Sequence, residues 1–344
     1  MSYCLNPHCF KPQNPENSQF CLSCGHKLRL KDRYRVLEPL GQGGFGRTFL
    51  AVDEDLPSQP QCVVKQFFPL TQNPEKQAKA AQMFQREGVQ LNDLGQHPQI
   101  PVLLAYFSQN KQKYLVQEFI DGQDLGQELA TRGSFDEPGI RALLQDLLPV
   151  LRYVHDRGVI HRDIKPQNII RRRRDRVLFL VDFGAAKAIA STLPGATGTV
   201  IGSMGYTSPE QAFGKATYAS DVFSLGVTCI NLLTGIAPQE LFDPVAGVWC
   251  WQEQVRSPVS SALKHILDKM LAFSVETRYP SVQALQADLN APTGDLDDAI
   301  AQLKSQFNRT PATPPVNPLD AEIQRLRQEL RGSNSSETQI EENP

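Results

Sequence analysis

Residues Gly158–Ile170 read GVIHRDIKPQNII, in which Asp163, Lys165 and Asn168 fall within six positions, between the apolar pairs Val159-Ile160 and Ile169-Ile170. A solvated turn has no use for a carboxylate, an ammonium and an amide in such close company. A phosphoryl transfer uses all three: the carboxylate accepts the proton of an attacking hydroxyl, the cation steadies charge on the moving group, and the amide oxygen ligates a divalent metal. A second carboxylate for that metal stands downstream in FLVDFG, where Asp182 ends an apolar strand-like run just before a glycine.

Upstream, Gly41, Gln42, Gly43, Gly44, Phe45 and Gly46 spell GQGGFG between two runs that alternate as strands, RYRVLEPL and RTFLAVDE. Glycines there let backbone amides approach a polyphosphate. The same spacing occurs in dinucleotide-binding folds, but that fingerprint opens a helix, whereas RTFLAVD reads as a strand. Lys65 stands in CVVKQF, with Val64 and Gln66 facing away from it, and Glu87 in FQREGVQL lies within reach on the helix predicted from about Pro74 to Leu94. Such a pair would hold the lysine as a fixed positive charge for phosphate oxygens. Residues 34 to about 115 therefore read as a small twisted sheet of four strand runs, the other two being CVVKQFF and KYLVQEFI, carrying a single helix. From about Leu125 to Leu289 the pattern turns mostly helical, with a hairpin at NIIRRRRDRVLFLVDFG and a junction at EFIDGQD.

GQGGFG, VVK with Glu87 downstream, HRDIKPQN, DFG, SPE at Ser208–Glu210 and DVFSLG at Asp221–Gly226 occur in that order over residues 34–290. In this the chain resembles the eukaryotic-type (Hanks-type) serine/threonine protein kinases also found in bacteria. The resemblance implies an α+β, bilobal protein-kinase fold, with a small β-rich N-lobe carrying one helix and a larger, mainly helical C-lobe. It implies ATP and Mg²⁺ (or Mn²⁺) as cofactors, and as partners protein substrates with Ser/Thr hydroxyls, the chain itself among them. Asp163 would be the catalytic base, Lys165 the γ-phosphate contact, and Asn168 with Asp182 the Mg²⁺ ligands. Lys65, ion-paired to Glu87, would bind the α- and β-phosphates. Gln117 would gate the back of the adenine pocket, the backbone of Glu118 and Ile120 would meet adenine, and Asp124 would meet the ribose. Glu210 and Arg278 would form a structural ion pair, and Asp221 would brace the catalytic loop. Arg162 would receive a phosphate from the activation segment, where Thr199 best matches the usual regulatory position.

Three positions depart from the family pattern: Val63 stands where alanine usually lies above the adenine, Thr48 where valine covers it, and Ser203 where a threonine touches the catalytic loop. None removes a charge that the chemistry requires. The alternative reading is a pseudokinase-like scaffold or nucleotide-binding regulatory module, against which stand the intact Lys65, Asp163, Asn168 and Asp182. Lys165 and the SPE segment disfavour a small-molecule kinase.

The rest of the chain adds appendages. Of its 344 residues, 35 are Lys or Arg and 37 Asp or Glu, a balance that points away from nucleic acid or anionic membrane as a generic partner. No apolar run is long enough to span a membrane, and MSYCLNPHCF lacks a signal peptide's apolar stretch, so a cytoplasmic protein is expected. Arg171–Arg174 and Arg176 join the two hairpin strands and are expected as a solvated edge. Cys4, Cys9, Cys21 and Cys24 crowd the first 24 positions as C-x4-C and C-x2-C, while Cys62, Cys229 and Cys250 sit in apolar contexts and are expected in the core. The knuckle FCLSCGHKL resembles half of a zinc ribbon, and some bacterial kinases of this kind carry a similar start. Residues 1–30 are therefore expected to be a zinc-ribbon-like module holding Zn²⁺, with His8 and His26 read as spare polar residues more than as substitutes for one ligand, and a redox thiol set or a disulfide as the competing chemistry. Residues 291–344, rich in Pro, Asn, Ser and Thr, read as a flexible tail with two short amphipathic helices, at Leu296–Phe307 and Ile323–Leu330.

Overall fold

A computed structural model describes residues 1–43, 46–69, 73–183 and 205–291. Gly44, Phe45, Thr199, Ser203 and both tail helices lie outside the described residues. The chain opens with two short strands, β1 (Ser2–Tyr3) and β2 (Gln13–Asn14), which pair with each other. A six-stranded antiparallel sheet follows, built from β3 (Arg29–Leu30), β4 (Tyr34–Gly43), β5 (Gly46–Asp53), β6 (Gln61–Phe67), β7 (Leu103–Gln109) and β8 (Gln112–Glu118), in the order β3-β4-β5-β6-β8-β7. The strand β7 is absent from the four runs read in the sequence. It reverses into β8 at Asn110 and Lys111, whose φ angles of 51° and 62° suit a tight hairpin turn.

Helix α1 (Pro74–Leu94) packs on one face of the sheet. Asn73 starts it by accepting the Lys76 amide, and Pro74 occupies a first-turn position where its missing N–H costs nothing. Its buried face includes Phe84, Glu87, Gly88 and Leu91. At Gly88 a Cβ would come within 2.8 Å of the Tyr106 ring, so glycine lets helix and strand approach.

The larger lobe begins at β9 (Gly122–Asp124) and α2 (Leu125–Arg132), followed by α3 (Glu137–Asp156), then the hairpin β10 (Ile169–Arg172) and β11 (Leu178–Leu180). The short strand β9 joins the hairpin as its third strand, with Asp124 opposite Ile170, which stitches the junction segment to the strand that follows the Asp163 loop. Beyond lie α4 (Pro209–Ala212), α5 (Tyr218–Thr234), α6 (Pro238–Leu241), the two-stranded β12 (Phe242–Asp243) and β13 (Val248–Trp249), α7 (Ser261–Met270) and α8 (Val282–Asn290). Residues 219–234 of α5 are buried on every side, as expected of a helix whose sequence is apolar all round. A continuous apolar core runs from Phe84 and Leu91 of α1 through α3 and α5 to Leu263 and Leu285.

The arginine run is solvated in part: Arg173, Arg174 and Arg176 are exposed as expected, whereas Arg171 and Arg172 are mostly covered. Arg171 and Arg176 both reach Glu128, at 2.8 and 3.3 Å, and Arg132 reaches the same carboxylate at 3.0 Å. Arg172 pairs with Asp175 and Arg173 with Asp121. Glu128 thus ties α2 to the hairpin. Cys62 and Cys229 are buried as expected, but Cys250 is exposed, because Cys250 follows the small edge strand β13 on the surface.

The N-terminal module does not stand apart from the sheet. Leu5 and Leu30 are 3% and 2% exposed, inside a core made of Tyr34, Val36, Phe49, Ala51, Val64 and Tyr114. Tyr3 packs its ring 5.7 Å from that of Phe49. Strand β3 extends the sheet itself, and Arg35 bridges Glu54 and Glu16. The sheet therefore buries one face against α1 and the other against the first 30 residues.

Candidate active site

The short 3-10 turn Pro166–Asn168 follows the loop that carries the acid, and β10 begins directly after it. Asn168 Nδ2 donates to Asp163 Oδ2 at 2.7 Å and to the Asp163 carbonyl at 2.8 Å, and Lys165 Nζ lies 3.2 Å from the same carboxylate. Asp163 is 7% exposed, so these contacts are made with little competing water. Across the cleft, Lys65 of β6 pairs with Glu87 of α1 and lies 2.5 Å from Asp182 Oδ1. Burial works against the charge on Lys65, but Asp182 and Glu87 outweigh it and push its pKa above the lysine range. Asp182 sits at φ 57°, a strained setting for a residue with a side chain, and aims its half-exposed carboxylate into the opening. The convergence of Lys65, Glu87 and Asp182 is a geometric fact that spacing alone could not supply.

Behind the loop, the buried carboxylate of Asp221 accepts the His161 amide at 2.9 Å and the Arg162 amide at 2.8 Å, and binds His155 Nε2 at 2.8 Å. Arg162 is held at φ 68°. One acid therefore pins the strained backbone that precedes Asp163. His161 Nε2 donates to the Val181 carbonyl at 3.0 Å, and its Nδ1 accepts the Asp163 amide at 3.3 Å. Complete burial lowers the His161 pKa and, with those partners, selects the neutral Nε2–H tautomer. The Asp163 loop is thereby tied to the end of the strand that delivers Asp182.

The Arg162 guanidinium is partly buried, and burial with the nearby Arg86 of α1 lowers its pKa; its Nε has no hydrogen-bond partner among the described residues. Its carbonyl accepts Gln211 Nε2 at 2.7 Å. Below, Glu210 and Arg278 form a bidentate pair at 2.8 and 3.3 Å, with Arg278 fully buried and also donating to the carbonyls of Ala219, Ala272 and Phe273.

A cavity of about 170 Å³ lies between the lobes. Leu40, Thr48 and Val63 form its roof, Ile170, Gln167 and Val181 its floor, and Gln117, Glu118 and Ile120 its back, with Lys65 and Asp182 at one end. Gln117 is 5% exposed. The Glu118 amide is taken by the Val102 carbonyl, and the Asp124 carboxylate caps α2 by accepting the Gln127 amide. Gln167, Leu40 and Val181 were not singled out in the sequence, since nothing in their local pattern separates a cavity wall from core. Apolar faces above and below, with the Lys65 cation and the Asp182 carboxylate at one end, suit a flat base with a metal-bound polyphosphate. Of the glycine run, Gly41, Gln42, Gly43 and Gly46 are described; a Cβ on Gly46 would meet the Gln66 carbonyl oxygen at 2.4 Å.

The sulfurs of Cys4, Cys9, Cys21 and Cys24 lie within 4.8 Å of one another, with Cys4–Cys24 and Cys9–Cys21 each at 3.6 Å. Asn6 Nδ2 donates to Cys24 Sγ, and Asn14 Nδ2 to Cys21 Sγ. Burial raises the Cys21 pKa, but the amides of Cys24 and Ser23 and the Asn14 side chain outweigh it and bring the thiol down to about 6. His8 and His26 are not part of the cluster.

Comparison with known proteins supplies the family. The model of the protein kinase domain matches residues 34–289. Serine/threonine-protein kinase B of Synechocystis sp. is 44% identical over 302 residues, covering 85% of this chain and 52% of that protein. Serine/threonine-protein kinase PknA of Nostoc sp. is 44% identical over 263 residues, covering 74% of this chain and 46% of that protein. The chain thus spans about half the length of these curated relatives. Among solved structures, the apo form of PpkA-294 superposes with a TM-score of 0.64 at 22% identity, over 81% of this chain and all of that one, a likeness of fold. On these grounds the chain belongs to the protein kinase family.

Proposed function

We propose that the protein is a serine/threonine protein kinase that transfers the γ-phosphate of ATP to hydroxyls of protein substrates, itself among them. The observation that carries this reading is the convergence on one cleft of Asp163, Asn168, Asp182 and the paired Lys65. In this reading Asp163 orients the acceptor hydroxyl and takes up its proton, while Lys165 faces the transferred group. Asn168 and Asp182 are the residues that would hold Mg²⁺, which when bound neutralises phosphate charge. Lys65, kept charged by Glu87 and Asp182, holds phosphate oxygens. Val63 and Ile170 enclose the base, and Gln117 stands at the back of its pocket. Thr199 remains our choice for the phosphate that would engage Arg162.

Radiolabelled ATP with a generic protein substrate tests the reading. Label is expected with wild type and not with Asp163→Asn; label in both, or in neither after pre-phosphorylation and trial of Mn²⁺, overturns it.

The cysteine cluster is proposed as a structural Zn²⁺ site. Tetrahedral Zn–S bonds of ~2.3 Å would separate the sulfurs by about 3.8 Å, close to the spacing of the four thiols. Metal analysis of the full chain purified under reducing conditions should give about one zinc per chain; a metal-free, folded protein removes the site.

A further inference from the structure

The outer face of the sheet carries a contact that no role in the cleft explains. Arg47 and Gln66 stand opposite each other on β5 and β6, and in the next register position Thr48 stands opposite Lys65. Successive strand residues face opposite sides. Thr48 and Lys65 line the cleft, so Arg47 and Gln66 occupy the back of the same strand segment.

What covers that back is the N-terminal module. Arg47 Nη2 donates to the Leu5 carbonyl at 2.7 Å and to Gln66 Oε1 at 2.6 Å. Gln66, 1% exposed, donates to the same carbonyl and to the Tyr114 hydroxyl, each at 3.3 Å. The Arg47 guanidinium lies 5.3 Å from the Phe49 ring and 5.1 Å from that of Phe68, and among the described residues its titratable neighbours are Tyr3, Tyr114 and Cys4, with no carboxylate. Leu5 cannot shift freely, because its side chain is in the sheet core while its neighbours Cys4 and Asn6 are engaged with Cys24.

We propose that the Leu5 carbonyl, through Arg47 and Gln66, positions the strand pair that presents Thr48 and Lys65 to nucleotide, so that the cysteine module is a structural part of the nucleotide site. The inference rests on the kinase reading above. Arg47 and Gln66 touch no substrate; they are positioning residues. A strand anchored from behind holds its front residues in register with the phosphates, and losing the anchor weakens binding more than it slows the transfer itself.

The test uses the full chain. Arg47→Met keeps the packing between the two rings and removes the hydrogen bonds; Arg47→Lys restores a donor. For Arg47→Met the KM for ATP and the Kd for MgADP should rise roughly tenfold while kcat stays within about twofold, and Arg47→Lys should recover most of the loss. Coupling is reciprocal, so MgADP should slow amide hydrogen exchange at residues 3–9 in wild type and leave it unchanged in Arg47→Met. A wild type that binds MgADP with no protection of residues 3–9, or an Arg47→Met protein that binds it equally well, overturns the bridge alone. Parallel loss of kcat and melting temperature without rescue by lysine overturns it as well. A wild type that binds no nucleotide overturns the kinase reading and the bridge with it.

Discussion

Beneath the cleft, Asn168 holds Asp163 across an interval of five residues, and one buried carboxylate, Asp221, receives the amides of two consecutive residues just before it. Above the cleft, Arg47 is held by a carbonyl 42 positions away and Lys65 by an acid 22 positions away, and Gly88 of α1 leaves room for the Tyr106 ring of β7. The floor is tied by charge to backbone, with Asp221 holding amides 60 and 59 positions away. The roof is assembled from side-chain contacts that join separate strands, the helix α1 and the N-terminal segment. A floor of that kind fails when a single group is removed, whereas a roof of that kind loosens by degrees.

The sharpest break falls on the floor's chemistry. Asp163→Asn should reduce kcat by roughly 10²–10⁴ while leaving the urea midpoint close to wild type, since the amide keeps one acceptor for Asn168. Equal losses of kcat and stability would show that the carboxylate serves folding more than chemistry. Next comes the floor's foundation: Arg278→Met strands the Glu210 carboxylate and three carbonyls and should cost about 3–5 kcal/mol in denaturant unfolding. A cost below about 1 kcal/mol would place the pair in the class of screened surface bridges.

The roof should respond more gently. Gly46→Ala drives a methyl against the Gln66 carbonyl and should cost about 1–3 kcal/mol, with the KM for ATP rising more than kcat falls. The smallest effect concerns pH. Burial raises the Glu210 pKa, but bonds from Arg278 and Ser220 outweigh it and hold the carboxyl below its ordinary 4.5. A depressed folded pKa gives stability that is complete above the unfolded value and is lost as pH falls through the folded one. The acid limb of the stability curve, below about pH 4.5, should therefore flatten in Glu210→Gln. An unchanged limb would assign acid unfolding to other carboxylates.

The same contrast explains what could be read beforehand. Asp163, Lys165, Asn168, Glu210 and Asp221 stand inside the ordered motifs, whereas the pairing of Glu210 with Arg278 is legible only through the family resemblance. Strand β7 escaped notice because LLAYFSQ exposes Leu104 and Tyr106, at 42% and 38%, so no polar–apolar alternation marks its faces. The arginine run gave its charge but not its partners, since Glu128 lies 43 residues before Arg171. Nothing in the cysteine-rich start distinguishes Leu5 from any other apolar residue. Only the folded sheet reveals that β5 and β6 have a back to be covered.

That covering bears on how the protein can be handled. The family match begins at residue 34, yet a chain trimmed to that point would turn Phe49, Ala51, Val64 and Tyr114 outward as a greasy slab beside an unpaired strand edge at β4. Such a surface invites self-association in solution. The first 30 residues thus shield the lobe from its own stickiness, and a chain shortened to begin at residue 34 is expected to aggregate, which size-exclusion chromatography of the two forms would check.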